Sequence, residues 1–149
     1  MGQVSRTLFV PGIPAAQGSK RHVGGGRMVE MSKRLKPWRA TIAAAVIDAG
    51  WATDPILTGP VSLTAAFLMP RPKHHYRTGR NAQTLKANAP VMVDKAPDLD
   101  KLVRAVCDAL TQAGAWRDDS QVAEISTYKR YIEVGEEPGV RISVGRVNA

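Results

Sequence analysis

An amphipathic stretch at residues 99–113 constrains the fold more than any other feature of this sequence. Its apolar side chains recur at the three- and four-residue spacing of one helical face, at Leu99, Leu102, Val103, Val106, Leu110 and Ala113. Gly114 follows them and is suited to end the helix, because glycine adopts the left-handed conformation of a helix C-terminus without strain. A helix with one apolar face has to bury that face against another layer of structure.

The remaining segments predict the layer against which this helix packs. Alternating apolar residues and turn signals indicate strands at residues 7–10, 61–69, 122–134 and 140–147. A second helix is expected from Ser32 to about Ala49, with Gly50 at its end. We therefore expect one small α+β domain over residues 1–149, with two main helices packed on a mixed β-sheet.

The segment from Pro70 to Pro97 has neither a helical nor a strand period. It contains four prolines and many basic residues. A stretch of this length without structure inside a compact domain is usually functional or disordered. We expect residues 71–97 to form a mobile basic loop.

The charge of the chain favours a polyanionic partner. Its formal net charge is +8, which produces a field that attracts nucleic acid, although a generic basic surface is the alternative. A membrane partner is not expected, because no basic amphipathic helix carries large apolar anchors. The candidate DNA contacts are basic residues in clusters and one aromatic residue that could stack on an unpaired base: Lys20, Arg21, Arg71, Lys73, Lys101 and Tyr76.

Cysteine and histidine usage exclude several kinds of site. Cys107 is the single cysteine, which rules out an intrachain disulfide and a cysteine-based zinc site. His74 and His75 are adjacent instead of one helical turn apart, so we expect them to contact phosphate or solvent and not a metal. The longest apolar run, residues 42–47, is too short to cross a bilayer, and no signal-peptide pattern is present.

Four aspartates flank the helix at residues 99–113. Asp98 and Asp100 stand at its start, where a side-chain cap or the helix dipole would account for them at about 0.5–2 kcal/mol each. Asp118 and Asp119 follow the helix and could form an exposed acidic turn. Alternatively, a strand that runs back along the helix could gather these carboxylates, which repel one another unless a hard cation such as Mg²⁺ lies among them.

A family resemblance rests on the same region. The sequence at residues 96–130, APDLDKLVRAVCDALTQAGAWRDDSQVAEISTYKR, resembles the core motif of RusA-type crossover-junction endonucleases. That motif has a PDxDN-like start, a helix with DAL, a tryptophan followed by DD, then QV and a downstream lysine. Residues 9–22, FVPGIPAAQGSKRH, are similar to the opening strand and basic loop of the family. The central segment resembles it poorly.

The resemblance implies a cytoplasmic, homodimeric endodeoxyribonuclease of a bacterium or a phage-infected cell. Such an enzyme uses Mg²⁺, for which Mn²⁺ substitutes, and resolves four-way Holliday junctions by paired cuts in recombination and repair. Asp98, Asp100 and Asp119 match the metal-binding, catalytic carboxylates. Asp118 matches the neighbouring acidic position, which would support the ligands, and Lys129 matches the downstream lysine, a candidate phosphate contact.

Two positions depart from the family pattern. Lys101 stands where the family often has asparagine, and Arg104 stands where it has a catalytic lysine. Asp100 and Arg104 are four residues apart, so an ordinary helix ion pair worth about 0.2–0.5 kcal/mol would explain them. The functional alternative is a cation that steadies the scissile phosphate. Arginine keeps the charge but cannot act as a general acid, so we expect an electrostatic role.

Two other functions stay open on the sequence. One is a catalytically inert protein that binds branched DNA and uses its aspartates only as helix caps. The other is a related nuclease that prefers Y-forks or flaps and shares the fold and the metal chemistry.

Overall fold

The computed structural model describes residues 5–18, 25–52 and 57–147. In these ranges the secondary structure consists of strands β1 (Ser5–Pro11), β2 (Val61–Met69), β3 (Val122–Tyr131) and β4 (Gly139–Arg146), helices α1 (Gly25–Asp48) and α2 (Leu99–Ala113), and three short 3-10 helices at Lys73–His75, Gly79–Asn81 and Asp119–Gln121. The expected single α+β domain with two helices on a sheet is confirmed. Helix α1 begins before Ser32, the start that the sequence predicts.

The sheet is mixed, as expected, with strand order β1-β4-β2-β3. β4 pairs antiparallel with both β1 and β2, and β3 pairs parallel with β2. Strand β3 ends at Tyr131, three residues before the predicted end. β3 is an edge strand, so only the side that faces β2 is paired along its whole length.

The core lies between the sheet and the helices. Its largest fully buried side chains include Phe67 and Leu63 of β2, Leu102 and Leu110 of α2, and Ile42 of α1. The two helices run in the same direction, since Arg39 of α1 lies 3.7 Å from Asp108 of α2 and Ala52, just after α1, packs against Gly114 at the end of α2. The beginnings of both helices therefore lie at one end of the molecule.

The first part of β3 is unusually exposed for a strand. Ala123, Glu124, Ile125 and Ser126 are all exposed, and the side chain of Ile125 is 52% accessible although its neighbour in the sheet, Leu63, is buried. Beyond Tyr128, residues 91–93 pair with the outer side of β3 through the bonds Val93 N–H to Lys129 O and Tyr131 N–H to Val91 O. Among the described residues, the outer edge of β3 from 122 to 128 is therefore unpaired.

The segment between β2 and α2, which the sequence predicts to be a mobile basic loop, contains two short 3-10 helices and makes hydrogen bonds of its own. Backbone hydrogen bonds join Arg77 to Thr84 and Lys86 to His75, each at 2.9 Å. Arg71 anchors the segment, because its guanidinium donates to the carbonyls of Ile132 and Pro90, both at 2.6 Å. The same guanidinium lies 5.3 Å from the centre of the Tyr131 ring. Residues far apart in sequence supply these anchors, so no local pattern predicts them.

His75 is buried, which contradicts the expectation that it faces phosphate or solvent. Only 5% of the residue is exposed. Its ring meets the Tyr131 ring edge to face at 4.7 Å, and its Nδ1 lies 3.4 Å from the Arg71 guanidinium. Burial, reinforced by the positive charges of His74 and Arg71, lowers the pKa of His75 below its ordinary value of 6.5.

Among the described residues, no helix has both the length and the apolar character needed to cross a membrane.

Candidate active site

The start of α2 presents two exposed carboxylates. Asp98 occupies the N-cap position, but its side chain makes no capping hydrogen bond. Its carboxylate instead lies 3.7 Å from the ammonium group of Lys101 and is 64% exposed. Asp100 is exposed in the first turn, and within the described part of the chain it has neither a hydrogen bond nor an ion pair from its side chain. A capping role therefore does not account for this pair.

Arg104 projects from the next turn of α2 and is exposed. The ordinary helix ion pair between Asp100 and Arg104, the alternative to a functional role, is not formed among the residues that the structure describes. The guanidinium is thus available to an anion. Its fixed planar donors suit a phosphate oxygen, whereas it keeps its proton at every physiological pH.

Lys129 reaches the same end of α2 from the sheet. Its ammonium donates to the carbonyl oxygens of Lys95 at 2.5 Å and Pro97 at 2.8 Å. The side chain is partly buried. Two of the three donors of the ammonium group are therefore used by the backbone that leads into α2, and not by an exposed phosphate site. Arg71, another expected DNA contact, is likewise held by protein carbonyls.

Asp118 has a local structural role. Its carboxylate accepts from the backbone N–H of Ser120 at 3.0 Å. Hydrogen bonding by Ser120, first from its side chain and then from its backbone, lowers the pKa of the Asp118 carboxyl. Gln121 completes the arrangement, because its side-chain oxygen accepts from the N–H of Asp118 at 3.1 Å while its amide donates to the carbonyls of Leu57 and Gly59. Asp118 and Gln121 together fix the turn on which Asp119 stands.

Asp119 is exposed but does not join Asp98 and Asp100 within one copy of the chain. Its charge acts on Cys107, whose pKa rises to about 12 through burial first and then through Asp119 and Asp108. Cys107 lies seven residues beyond Asp100, about 10 Å further along the helix axis. Strand β3 does run back toward the start of α2, as the sequence suggests, but it brings Lys129 there and leaves Asp119 at its beginning.

The two aspartates at the start of α2 offer only part of a ligand set for a metal ion. Across residues 5–18, 25–52 and 57–147, no three Asp, Glu, His or Cys side chains lie close enough together to hold a metal. Asp98 and Asp100 nevertheless offer two exposed carboxylates, and Mg²⁺ is typically bound by one or two carboxylates with water and substrate phosphate at its other positions. The chemistry of this pair fits Mg²⁺ without Asp119.

The described residues after β1 lead to the start of α2. The N–H of Gln17 donates to the carbonyl of Lys101 at 3.1 Å, so residues 12–18 end beside the first helical turn. Lys20 and Arg21, the next expected DNA contacts, lie outside the described residues. Of the other expected contacts, Lys73 is exposed, and Lys101 and Tyr76 are partly buried.

A further basic group, which was not among the expected contacts, lies on α1. Lys33, Arg34 and Lys36 are exposed and precede Arg39, which pairs with Asp108. Because the two helices are parallel, these cations lie on the part of α1 that is nearer the end of the molecule with Asp98 and Asp100. The sequence contains the cluster, but only the parallel packing of the helices relates it to the aspartates.

Comparison with known proteins gives two matches. The family model described as "Endodeoxyribonuclease RusA" matches residues 10–145. The uncharacterized protein YqaN of Bacillus subtilis (strain 168) is 30% identical over 140 residues, which cover 94% of this chain and 95% of that protein. The family match includes all four aspartates that flank α2.

Proposed function

We propose that this chain, which belongs to the RusA family of endodeoxyribonucleases, is a Mg²⁺-dependent enzyme that resolves four-way Holliday junctions by paired strand cuts. The observation that carries the proposal is that Asp98 and Asp100 are exposed at the start of α2 without a capping bond or a buried partner. A role in recombination and repair in the cytoplasm of a bacterium or a phage-infected cell follows from such a substrate.

Each residue at the start of α2 has a distinct role in this proposal. Asp98 and Asp100 would hold Mg²⁺ or Mn²⁺, which when bound would supply a water of lowered pKa and polarise the phosphate. Arg104, exposed one turn later, offsets the negative charge that grows on the phosphate oxygens during cleavage. Its role is electrostatic, because an arginine does not release its proton.

The free edge of β3 supports a homodimer, and a homodimer would explain the position of Asp119. An antiparallel pairing of residues 122–128 of two copies, centred on Ile125, would satisfy the unpaired backbone and cover the exposed isoleucine. In that register the residues just before Val122 of one copy continue past Tyr128 of the other. Asp119 would then approach the 91–97 segment that leads to Asp98 and Asp100 of the second copy.

The two alternative functions differ in what they require of the aspartates. An inert junction-binding protein would use them as caps, and the missing cap at Asp98 counts against that role. A nuclease for Y-forks or flaps requires the same carboxylates and differs only in substrate.

Cleavage of labelled DNA by the purified protein tests the proposal. Four-way junctions, Y-forks, flaps and linear duplexes are incubated with and without Mg²⁺. The proposal predicts symmetric paired nicks in the four-way junction that require the metal. Faster cutting of forks or flaps would identify one of these as the preferred substrate, and binding without cleavage in Mg²⁺ or Mn²⁺ would identify an inert binder.

The affinity for the junction should also fall with salt concentration. About six phosphate contacts would give a slope near −5 in a plot of the logarithm of the association constant against the logarithm of the salt concentration.

A further inference from the structure

Lys129 connects the end of β3 to the segment that carries the candidate metal ligands. The outer side of β3 binds residues 91–93 through the N–H of Val93 and the carbonyl of Val91. The Lys129 side chain then continues this attachment, with its ammonium on the carbonyls of Lys95 and Pro97 at 2.5 and 2.8 Å. Asp98 is the next residue.

These two hydrogen bonds have no substitute. In the part of the chain that the structure describes, no other hydrogen bond reaches the backbone of residues 94–97. Pro97 has no N–H to offer. Hydrogen bonds from a charged donor are stronger than those between neutral groups, so the ammonium is the main restraint on the turn that enters α2.

The surroundings of Lys129 distinguish it from a phosphate contact. Its side chain is partly buried and lies on the face of the sheet that carries the helices, in register with the buried Phe67. The side chain of Lys95, by contrast, is 71% exposed, and the partner found for it among the described residues is Asp94 at 3.6 Å. Lys95 therefore provides a lysine of equal charge near the same turn that restrains nothing.

We infer that Lys129 is a positioning residue, which sets the carboxylates of Asp98 and Asp100 through the backbone of Lys95 and Pro97 and does not bind DNA. The inference rests on the proposed metal-dependent function of these aspartates. It assigns Lys129 an effect on metal binding that is present before any DNA arrives.

The test uses Lys129→Met, with Lys95→Met as the matched control, in the full-length protein. Three quantities are measured. They are the Mn²⁺ affinity of the DNA-free protein by calorimetry, the hydrogen exchange of the first hydrogen-bonded amides of α2, and the metal-free junction affinity at several salt concentrations. We expect Lys129→Met to weaken Mn²⁺ binding about tenfold, or 1.4 kcal/mol, and to accelerate exchange. Junction affinity should stay within about twofold with an unchanged salt slope. Lys95→Met should leave Mn²⁺ affinity and exchange as in the parent.

The opposite pattern overturns the inference. Suppose that Lys129→Met keeps the parental Mn²⁺ affinity and hydrogen exchange, but that its plot of log junction affinity against log salt concentration is less steep by about 0.9. Lys129 is then a phosphate contact. Lys129→Arg serves as a second variant: it keeps the charge that a phosphate needs but alters the two carbonyl bonds, so a positioning role predicts weaker Mn²⁺ binding here also. Parental Mn²⁺ affinity in Asp100→Asn would instead refute the proposed function, and hydrogen exchange would still decide the role of Lys129.

Discussion

The ammonium group of Lys101 lies 3.7 Å from the carboxylate of Asp98, one helical turn away on α2. Lys101 occupies the position at which the RusA family often has asparagine. A cation this close neutralises part of the charge that a divalent metal requires. Because the Asp98 side chain is 64% exposed, solvent screens the pair, and its effect should be modest.

This relationship predicts that Lys101→Asn lowers the Mg²⁺ requirement. An exposed ion pair contributes about 0.2–1 kcal/mol, so the half-saturating Mg²⁺ concentration should fall by up to about fivefold. The measurement is the rate of junction cleavage against Mg²⁺ concentration at saturating DNA. Lys73→Asn removes a lysine that forms no ion pair with Asp98 in the described structure, and it should leave the requirement unchanged. An unchanged or higher requirement in Lys101→Asn would show that Lys101 does not compete with the metal.

Arg104 should affect cleavage without affecting stability. It is exposed and unpaired with Asp100 in the described structure, so Arg104→Ala should change the free energy of unfolding by no more than about 0.5 kcal/mol. Cleavage by Arg104→Ala should fall by more than about tenfold, and Arg104→Lys should stay within that factor of the parent. A lysine variant faster than the parent, with a new basic limb in its pH profile, would indicate proton donation. Equal rates for all three side chains would remove Arg104 from the chemistry.

Buried His75 should make the protein less stable in mild acid. Burial lowers its pKa in the folded state, whereas the unfolded chain takes up the proton near pH 6.5. The unfolded state therefore binds more protons below that pH, and stability decreases as the pH falls from 6.5 toward the folded pKa. The carboxyl of Glu136, whose pKa the hydrogen bond from Arg130 lowers to about 2, loses its contribution only in stronger acid.

Thermal melting between pH 8 and 5 measures this effect. The parent should lose stability below pH 6.5, and His75→Gln should show a weaker dependence on pH in that window. His74→Gln, which alters the exposed neighbour, should retain most of the parent's dependence. If His75→Gln and the parent had the same dependence, another group would be responsible.

Mixed dimers test whether Asp119 acts across two subunits. Asp100→Asn and Asp119→Asn should each be inactive alone. After co-expression, a site composed of two chains leaves one intact site in each mixed dimer, and roughly a quarter of the parental sites should be active. Mixtures of Asp98→Asn with Asp100→Asn, whose lesions lie in one cluster, should stay inactive. If both variants are inactive alone and the first mixture is also inactive, Asp119 acts within its own subunit. Activity of Asp119→Asn alone would show that Asp119 takes no part.

Local patterns predicted α2 and β2 almost to the residue. The apolar spacing predicts that α2 begins at Leu99, and Gly114 ends the helix with a φ of 82°. Both signals are local in sequence, which is why they could be recognised. The start of α1 was missed, since Gly25 and Gly26 are poor helix formers and do not mark a helix. The four strands lie at the predicted places along the chain, although β3 is shorter than predicted.

The environment of the candidate site depends on contacts that no local pattern contains. Lys129 binds carbonyls more than thirty residues away, and His75 is buried by Tyr131, which belongs to the far end of β3. The sequence identified four aspartates around α2 but offered a structural explanation for every one of them, a cap for Asp98 and Asp100 and an exposed turn for Asp118 and Asp119. Hydrogen bonding separates them: Asp118 holds a turn, whereas the side chain of Asp98 makes no cap.

Cleavage by Asp100→Asn is the most direct test of a metal-dependent nuclease at the start of α2. The substitution keeps the shape of the side chain and removes a charge that Mg²⁺ needs. Asp94→Asn is the matched control, because Asp94 is 89% exposed and paired with Lys95. We predict that Asp100→Asn cleaves a four-way junction about 10²–10³ times more slowly, equivalent to roughly 3–4 kcal/mol, while metal-free junction binding persists and Asp94→Asn behaves as the parent. Near-parental cleavage by Asp100→Asn would contradict the account.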